Sequence, residues 1–580
     1  MILIKDLLKS KLKGKEEILV FLLLVSFYLI SATSILNKYL TMDESVYIVA
    51  GYSYLKTSDF RINWEHPVFM KALYGLPLLF INPELPTEGN RNWEKCANND
   101  VSAAYGFASD FYIKNKDNIR SIIFWPRIVA ILTAAFLGLL VFLWAKDAFG
   151  PKAGILALLL YCFEPNIIAH GSIATLDIPM TFFVFASFYT MWKFMKTWRF
   201  RFLVLSSIFI SLAIMTKYTA LIFVPLLFVF SFFYFKEVRS KLKQKRPDMK
   251  KTKTFLSVLL AYAAILLCLL IGPIIITNII YSFDAYKEKY FYVVPARVFE
   301  GYQFMSGWVK GGREGWFFGQ FRQYMPEYYI GSFLIKTTVP FVLFSIVSVI
   351  LFAKRILKYL FHRKALSKDA LALEKGSIID LASVALPGLA FFIALSIFGR
   401  FYIGFRYALP AFPFLIVFIS GNISPHIKNP FKEKKKIFAI VIFALLFWHV
   451  LSAILIYPHY LAYFNELIGG PANGPKYLTD SSIDWGQDFF YFMDFAKKRN
   501  WENPHLIYFG WPYPNFLMQF HWEDICEWRE EKFAISASAI TGVVSDWNCH
   551  RWLLSYEPKE RIGWTIYYYE FDSNSISGEN

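Results

Sequence analysis

Eleven apolar runs, each long enough or nearly long enough to cross a bilayer, constrain this chain more than any other feature. They lie at about 16–36, 121–144, 153–169, 173–194, 200–215, 218–235, 254–280, 332–353, 381–399, 405–420 and 437–457. A spanning helix needs about 20 mostly apolar residues, because hydrocarbon offers no partner to an unpaired backbone group. The expected fold is a polytopic α-helical membrane protein with about eleven transmembrane helices. Only short polar breaks divide 200–235 and 381–420, so each of these reads as two spans or as one long or re-entrant element. Composition agrees, with 56% of the 580 residues hydrophobic. Aromatic side chains make up 19% of the chain; they suit both membrane interfaces and stacking surfaces for sugar rings.

A formal charge of +17 invites a nucleic-acid reading until the charges are located. With the N-terminus in the cytoplasm, the segments left inside are all basic, among them KDLLKSKLKGK, KFMKTWRFR, KEVRSKLKQKRPDMKKTK and KNPFKEKKK, whereas the short outer breaks HGSIATLD and TKYT carry few cations. That alternation is the positive-inside rule. The charge orients the protein in its cell membrane and leaves nucleic acid without support. The N-terminal run is long and has no small-residue cleavage site, so it reads as an anchor instead of a removed signal.

Three larger pieces then lie outside. The reading divides the chain into a transmembrane domain over 1–458, with outer loops at 37–120 and 281–331, and an extracytoplasmic C-terminal domain over 459–580. The C-terminal part alternates short segments such as HLIYFGW, FAISASAI and IGWTIYYYEF with Pro, Asn and Asp, which predicts a small soluble α/β or mostly β domain. Tyr567, Tyr568 and Tyr569 are expected to alternate along one of its strands. Cys526 and Cys549 share this region and could form a disulfide if it lies outside the cytoplasm, a pairing that spacing does not prove, while Cys162 and Cys268 fall in apolar spans. There is no internal repeat, P-loop, dinucleotide fingerprint, CxxC pattern or tight His/Cys cluster.

The first outer loop is the densest in chemistry. Over 41–71 it carries the acidic pair Asp43 and Glu44, then His66-Pro67 and Lys71, and the apolar patch 68–81 is too short to cross and reads as an interfacial helix. Other ionisable residues gather at the same membrane face: Arg127 just inside the second run, Glu164 and His170 near the end of the third, Asp177 opening the fourth, Lys217 in the 200–235 break, and Arg400 and Arg406 in the 381–420 break. Charges near the membrane are costly and usually face a cavity or a partner. Carboxylates beside cations suit transfer from a phosphate leaving group to a hydroxyl: cations neutralise the leaving group, and a carboxylate takes the hydroxyl proton.

In the order of these elements the chain resembles the superfamily C glycosyltransferases, in particular the protein O-mannosyltransferase type and its bacterial relatives. The resemblance covers most of the membrane part. It rests on Asp43-Glu44 after the first span, on His66-Pro67-Val68-Phe69-Met70-Lys71 where the family has a His-Pro-Pro-Leu-x-Lys-like motif, and on Arg127 and Asp177 in ATLDIP. PEYYIGSFLIKTTVP, GFRYALP and YPHYLAYFNELIGGPANGPKYLTDSSIDWGQDF extend it. Val68-Phe69 departs from the motif, and no insert corresponds to the β-trefoil domain of the eukaryotic enzymes.

The resemblance implies an inverting glycosyltransferase moving a sugar, mannose or a similar hexose, from a polyprenyl-phosphate carrier to a hydroxyl of a protein, lipid or envelope glycan on the outer face. It implies no cofactor and no metal. Asp43 is then the general base and Glu44 positions it or the acceptor. Arg127 binds the carrier phosphate, with Lys217 and Arg406 as alternatives, and Asp177 orients sugar or acceptor hydroxyls. His66 is a hydrogen-bonding brace in preference to a catalytic acid, and Lys71 joins the binding set. The competing reading is a transporter or flippase of a lipid-linked substrate, which would usually show two related halves; a hydrolase ranks last. The acids Asp480, Asp484 and Asp488 stand at i, i+4 and i+8 and read as an exposed helix face or turn caps in preference to a cation or sugar site.

Overall fold

The computed structural model describes residues 14–245, 251–284, 290–291, 293–362, 368–427, 433–522, 532–543 and 549–571. All eleven apolar runs are helical. Among the described residues, eight helices are long and apolar enough to cross a membrane: Gly14–Ser34, Lys116–Phe149, Tyr218–Gln244, Thr252–Tyr281, Val339–Phe361, Leu371–Phe398, Phe405–Ile427 and Ile437–Leu455. The 153–169 run supplies a ninth if Pro151–Cys162 and Pro165–Gly171, bent by 66°, count together. The bend falls where it must. Pro165 has no N–H to continue the helix and pushes Glu164 into extended backbone, at φ −80° and ψ 114°.

The remaining two runs fall short by length or composition. Phe200–Ile214 has 15 residues, about 22 Å at the helical rise. Asp177–Thr197 has 21 residues, but its Asp, Ser, Thr, Tyr, Trp and Lys side chains dilute its hydropathy. Neighbouring helices bury it almost all round, so its polar groups meet protein partners: Thr181 and Thr190 hydroxyls return to backbone carbonyls one turn earlier.

The segment that follows the first apolar run folds on a backbone-to-backbone crossing. Helix Met42–Thr57 meets the short helix Phe69–Gly75 at Gly51 and Gly75. A Cβ on Gly51 would stand 1.7 Å from the Lys71 carbonyl oxygen, and one on Gly75 would stand 2.4 Å from Gly51 C. Beyond it Leu78–Ile81 continues the apolar patch, with Phe80 92% exposed, as an interfacial element requires.

The C-terminal part carries a four-stranded sheet ordered Leu506–Ile507, Lys532–Ser536, Ile566–Glu570, Glu560–Ile562, the first pair parallel and the others antiparallel. Along Ile566–Glu570, Tyr568 packs on Phe495 and Trp501, while Tyr567 and Tyr569 join the opposite apolar cluster. One apolar core runs from the first span into this part. Much of the aromatic excess is spent inside it: Trp144 has its ring 5.0 Å from Phe185 and 6.1 Å from Phe414. Cys549 is disulfide-bonded, and Cys526 lies outside the described residues.

Asp480, Asp484 and Asp488 are not an exposed helix face. The chain makes one 3-10 turn at Asp480–Ser482 and starts a helix only at Phe489, and all three carboxylates are buried. Asp484 accepts the backbone N–H groups of Gly486 and Ser538, at 3.2 and 3.1 Å. Asp488 accepts from Lys38 and from Thr565 Oγ1 at 2.8 Å, and Lys38 Nζ also meets His459 Nδ1 at 2.6 Å. This buried knot ties the exit of the first span to the C-terminal sheet. Backbone bonds reinforce it: Tyr39 N–H donates to Gln487 O at 2.8 Å and Met42 N–H to Trp485 O at 3.1 Å.

Candidate active site

The site begins with a capping box. Thr41 is the N-cap of helix Met42–Thr57 and Glu44 its third residue; the Thr41 backbone N–H donates to Glu44 Oε2 at 3.2 Å. That bond turns Glu44 back and inward. Arg127, on helix Ile119–Phe149, grips it through Nε and Nη2 at 2.8 and 2.7 Å, and the Ala174 N–H adds a bond at 2.8 Å. Arg127 also donates to the carbonyls of Lys38 and Tyr39, at 2.9 and 2.6 Å. Both side chains have no exposed surface.

This burial sets Arg127 and Glu44 against each other. Each nitrogen of Arg127 has a protein partner, and the guanidinium has no exposed surface. Glu44 is equally enclosed and stands next to Asp43, the residue it is expected to position if it does not position the acceptor. The pair is a clamp that fixes where the helix starts, and with it the residue between Thr41 and Glu44 that points the other way.

That residue is Asp43. Its carboxylate accepts Arg406 Nη1 at 2.8 Å. The same nitrogen stands 3.6 Å from Asp177 Oδ2, and Asp177 Oδ1 accepts Lys217 Nζ at 2.6 Å. Acid and base thus alternate in one chain of four groups. Their positions follow from local rules: Asp43 and Asp177 each sit in the first turn of a helix, where the macrodipole favours an anion. Lys217 lies in the break after the short helix Phe200–Ile214, and Arg406 in the 3-10 turn Phe405–Ala411. Asp43 keeps 23% of its side-chain surface, against 4% for Arg406, 2% for Asp177 and 12% for Lys217. The buried Nε of Arg406 has no partner.

His66 stands beside this chain with its ring edge-on to Tyr47 at 5.7 Å. Burial, then Lys71, Lys217 and Arg406, hold it well below the ordinary histidine range. Lys71 is behind the site: Nζ donates to the carbonyls of Asn63 and His66, at 2.6 and 2.9 Å, and closes the 63–66 turn. Burial lowers it to about 7. Of the other polar residues read at this face, His170 approaches the site through Trp485, at 6.5 Å between ring centroids. Glu164 is buried against Asn166 and Arg400 lies in a separate 270 Å³ hollow.

Three neighbours, Tyr407, Asp480 and Trp485, have no site role in the sequence reading. The Arg406 guanidinium lies 4.0 Å from the Trp485 ring, and Lys217 Nζ 4.6 Å from that of Tyr407. Asp480 lines the same 320 Å³ cleft as Asp43 and Arg406, and burial pushes its carboxyl up to about 6. Tyr407 adjoins Arg406 in GFRYALP, and Asp480 and Trp485 belong to the TDSSIDWGQD stretch, so the signal was present but its direction in space was not.

Comparison with known proteins finds likenesses at the level of family and fold. Residues 113–274 match the family model described as dolichyl-phosphate-mannose-protein mannosyltransferase. No curated protein matches. Among solved structures, the S. cerevisiae protein O-mannosyltransferase Pmt1-Pmt2 complex bound to the sugar donor is similar at 10% identity and a TM-score of 0.49, over 89% of this chain and 96% of that one. ArnT from Cupriavidus metallidurans bound to undecaprenyl phosphate is similar at 10% identity and 0.42, over 97% and 99%. The archaeal oligosaccharyltransferase AglB from Archaeoglobus fulgidus is similar at 14% identity and 0.44, over 76% of this chain and 56% of that one. The family match is thus a likeness of residues 113–274, within the membrane part of the chain.

Proposed function

We propose that this protein transfers a hexosyl group from a polyprenyl-phosphate carrier to a hydroxyl on the extracytoplasmic face, with inversion at the anomeric carbon. The observation that carries the reading is the pairing of Asp43, the most exposed of the four linked charges, with Arg406, a buried guanidinium that still has an unpartnered Nε. One supplies a base that a substrate can reach, the other a phosphate site.

The acceptor oxygen attacks the anomeric carbon and its proton passes to Asp43. The bond from that carbon to the phosphate oxygen breaks, and the polyprenyl phosphate leaves with the extra negative charge. Arg406 and Lys217 hold that charge, in a setting where burial strengthens each ionic contact. In this mechanism no metal and no cofactor takes part. The two carboxylates and two cations balance one another before substrate arrives. A phosphate that draws Arg406 toward itself releases Asp43, so the base is freed as the donor binds. Asp177 keeps Lys217 in place and Glu44 with Arg127 keeps Asp43 in place. The carrier's isoprenoid tail lies in the bilayer beside 69–81.

Reconstitution with a radiolabelled polyprenyl-phosphate mannose tests this. Asp43→Asn is expected to keep carrier binding and lose transfer by about 10²–10⁴-fold, the usual worth of a positioned general base. Full transfer by that variant would remove the assignment. Movement of the lipid across the bilayer with the glycosidic bond intact would make the protein a transporter instead.

A further inference from the structure

The cleft that opens from Asp43 and Arg406 is larger than the donor phosphate site needs. It measures 320 Å³, and a second hollow of 180 Å³ adjoins it through a shared lining of Arg313, Ile403, Asp480 and Val543. Trp485, Tyr508, Phe509, Trp511 and Tyr513 form its aromatic wall. We infer that this cleft is a saccharide site, and that the acceptor whose hydroxyl reaches Asp43 is a glycan seated against Trp511 and Tyr513. The inference rests on the glycosyltransfer reading for its reaction, and on the cleft alone for its ligand.

The wall has two properties a sugar ring requires. A pyranose presents faces of polarised C–H bonds and a rim of hydroxyls, and it therefore wants a flat aromatic face beside charged or polar edges. Here the aromatic wall stands beside Asp43, Asp480, Arg313 and Arg406 in one cavity. The platform is also held before any ligand arrives. Trp511 Nε1 donates to the Tyr105 carbonyl at 2.8 Å, and the Trp511 ring is edge-on to Tyr513 at 5.5 Å and to Tyr105 at 6.5 Å. Rings fixed in this way lose little entropy on binding. Trp511 and Tyr513 are partly exposed, whereas Tyr508 is buried with its hydroxyl bonded to Gly486 O.

The same surroundings give an extended peptide little to pair with. Peptides are commonly captured by adding a strand to a free sheet edge. At this side of the sheet the edge strand is Leu506–Ile507, two residues long and buried. Below the wall, the backbones of Gly486 and Gly510 pass in contact, since a Cβ on Gly486 would stand 2.8 Å from Gly510 Cα.

Saturation-transfer NMR on the full-length protein, with methyl mannoside and with di- and tetrasaccharides of mannose, glucose and N-acetylglucosamine as probes, reads the cleft directly. At least one saccharide is expected to bind the wild type. Trp511→Ala and Tyr513→Ala are each expected to weaken it about tenfold, and Trp511→Phe less, as loss or retention of one stacking face requires. Binding of polyprenyl phosphate alone should not change, which also reports that the variants are folded. Equal saccharide binding by wild type and both alanine variants, or none by wild type, would overturn the inference. So would label passing from the carrier to a Ser/Thr peptide or a vesicle lipid and never to a saccharide. If no acceptor draws label from the carrier, the glycosyltransfer reading fails, and the NMR arm decides the saccharide site by itself.

Discussion

Asp43 and Glu44 are adjacent carboxylates with opposite fates, and the difference is one helical position. Glu44 is turned inward by Thr41 and held by Arg127, whereas Asp43 faces the cleft and Arg406. Removing one partner from a buried ion pair costs about 3–5 kcal/mol. Arg127→Met is accordingly expected to lower the thermal unfolding midpoint sharply and leave donor affinity of the folded fraction intact. Adding Glu44→Gln, which neutralises the stranded carboxylate, should recover part of the loss. Lys217→Ala, which leaves buried Asp177 only the longer Arg406 contact, should lower stability as well and raise the donor KM of the folded fraction about tenfold, the worth of one charge-assisted contact; unchanged KM would leave the phosphate to Arg406 alone.

The acids beyond the last span titrate unusually. Burial raises Asp484 to about 7 and Asp480 to about 6, from an ordinary 3.8. The folded protein then holds protons that the unfolded chain has already released, so these two groups make stability fall as pH rises from about 4 to about 7. Asp488 has the opposite sign, because Lys38 and His459 outweigh burial and hold its carboxyl down. A comparison with Asp484→Asn separates the contributions: the variant should gain stability relative to wild type on going from pH 5 to pH 8 in thermal melts. An unchanged difference would mean that Asp484 is not the group responsible.

At the scale of elements, the crossing of Met42–Thr57 over Phe69–Gly75 sets the geometry of the whole first loop. A methyl group at Gly51 would overlap the Lys71 carbonyl at 1.7 Å, and backbone cannot move aside as a side chain can. Gly51→Ala is expected to cost more than the about 1–3 kcal/mol of an ordinary overpacked core, read as loss of a monodisperse peak in detergent chromatography. Normal folding and normal transfer by this variant would show that the two helices separate without consequence. The breaks between apolar runs matter as much as the runs. Phe200–Ile214 ends early and releases Lys217, and the Gly404 turn precedes Arg406. Both breaks were visible as polar interruptions, and periodicity could not say whether they ended spans or delivered side chains to a site.

At the scale of the molecule, the proposed orientation places the cleft outside and the long basic segments inside. Glu88, in the first outer loop, and Lys243, after the sixth apolar run, are both exposed. In intact cells Glu88→Cys should react with a membrane-impermeant maleimide, and Lys243→Cys should react only after permeabilisation. The reverse pattern would move the active site to the cytoplasm. The C-terminal part is more than an attachment, because Asp480, Trp485 and 508–513 complete the cleft that Asp43 and Arg406 open.

Membrane character, the helical runs and their alternation of charge were legible in the chain itself, because hydropathy and the placement of cations are properties of neighbouring residues. So was the set of ionisable residues at one face, including Asp43, Asp177, Lys217 and Arg406. Which cation lines the cleft and which is enclosed was not legible. Arg127 and Arg406 look alike in sequence, each an arginine at the edge of an apolar run, and only the partners gathered around them tell them apart. Arg127 is consumed by Glu44 and two carbonyls, whereas Arg406 reaches Asp43 from 363 residues away and keeps a nitrogen unpaired. The burial of Asp480 and the aromatic wall had the same origin. Both arise from contacts between distant segments, which only the tertiary structure brings together.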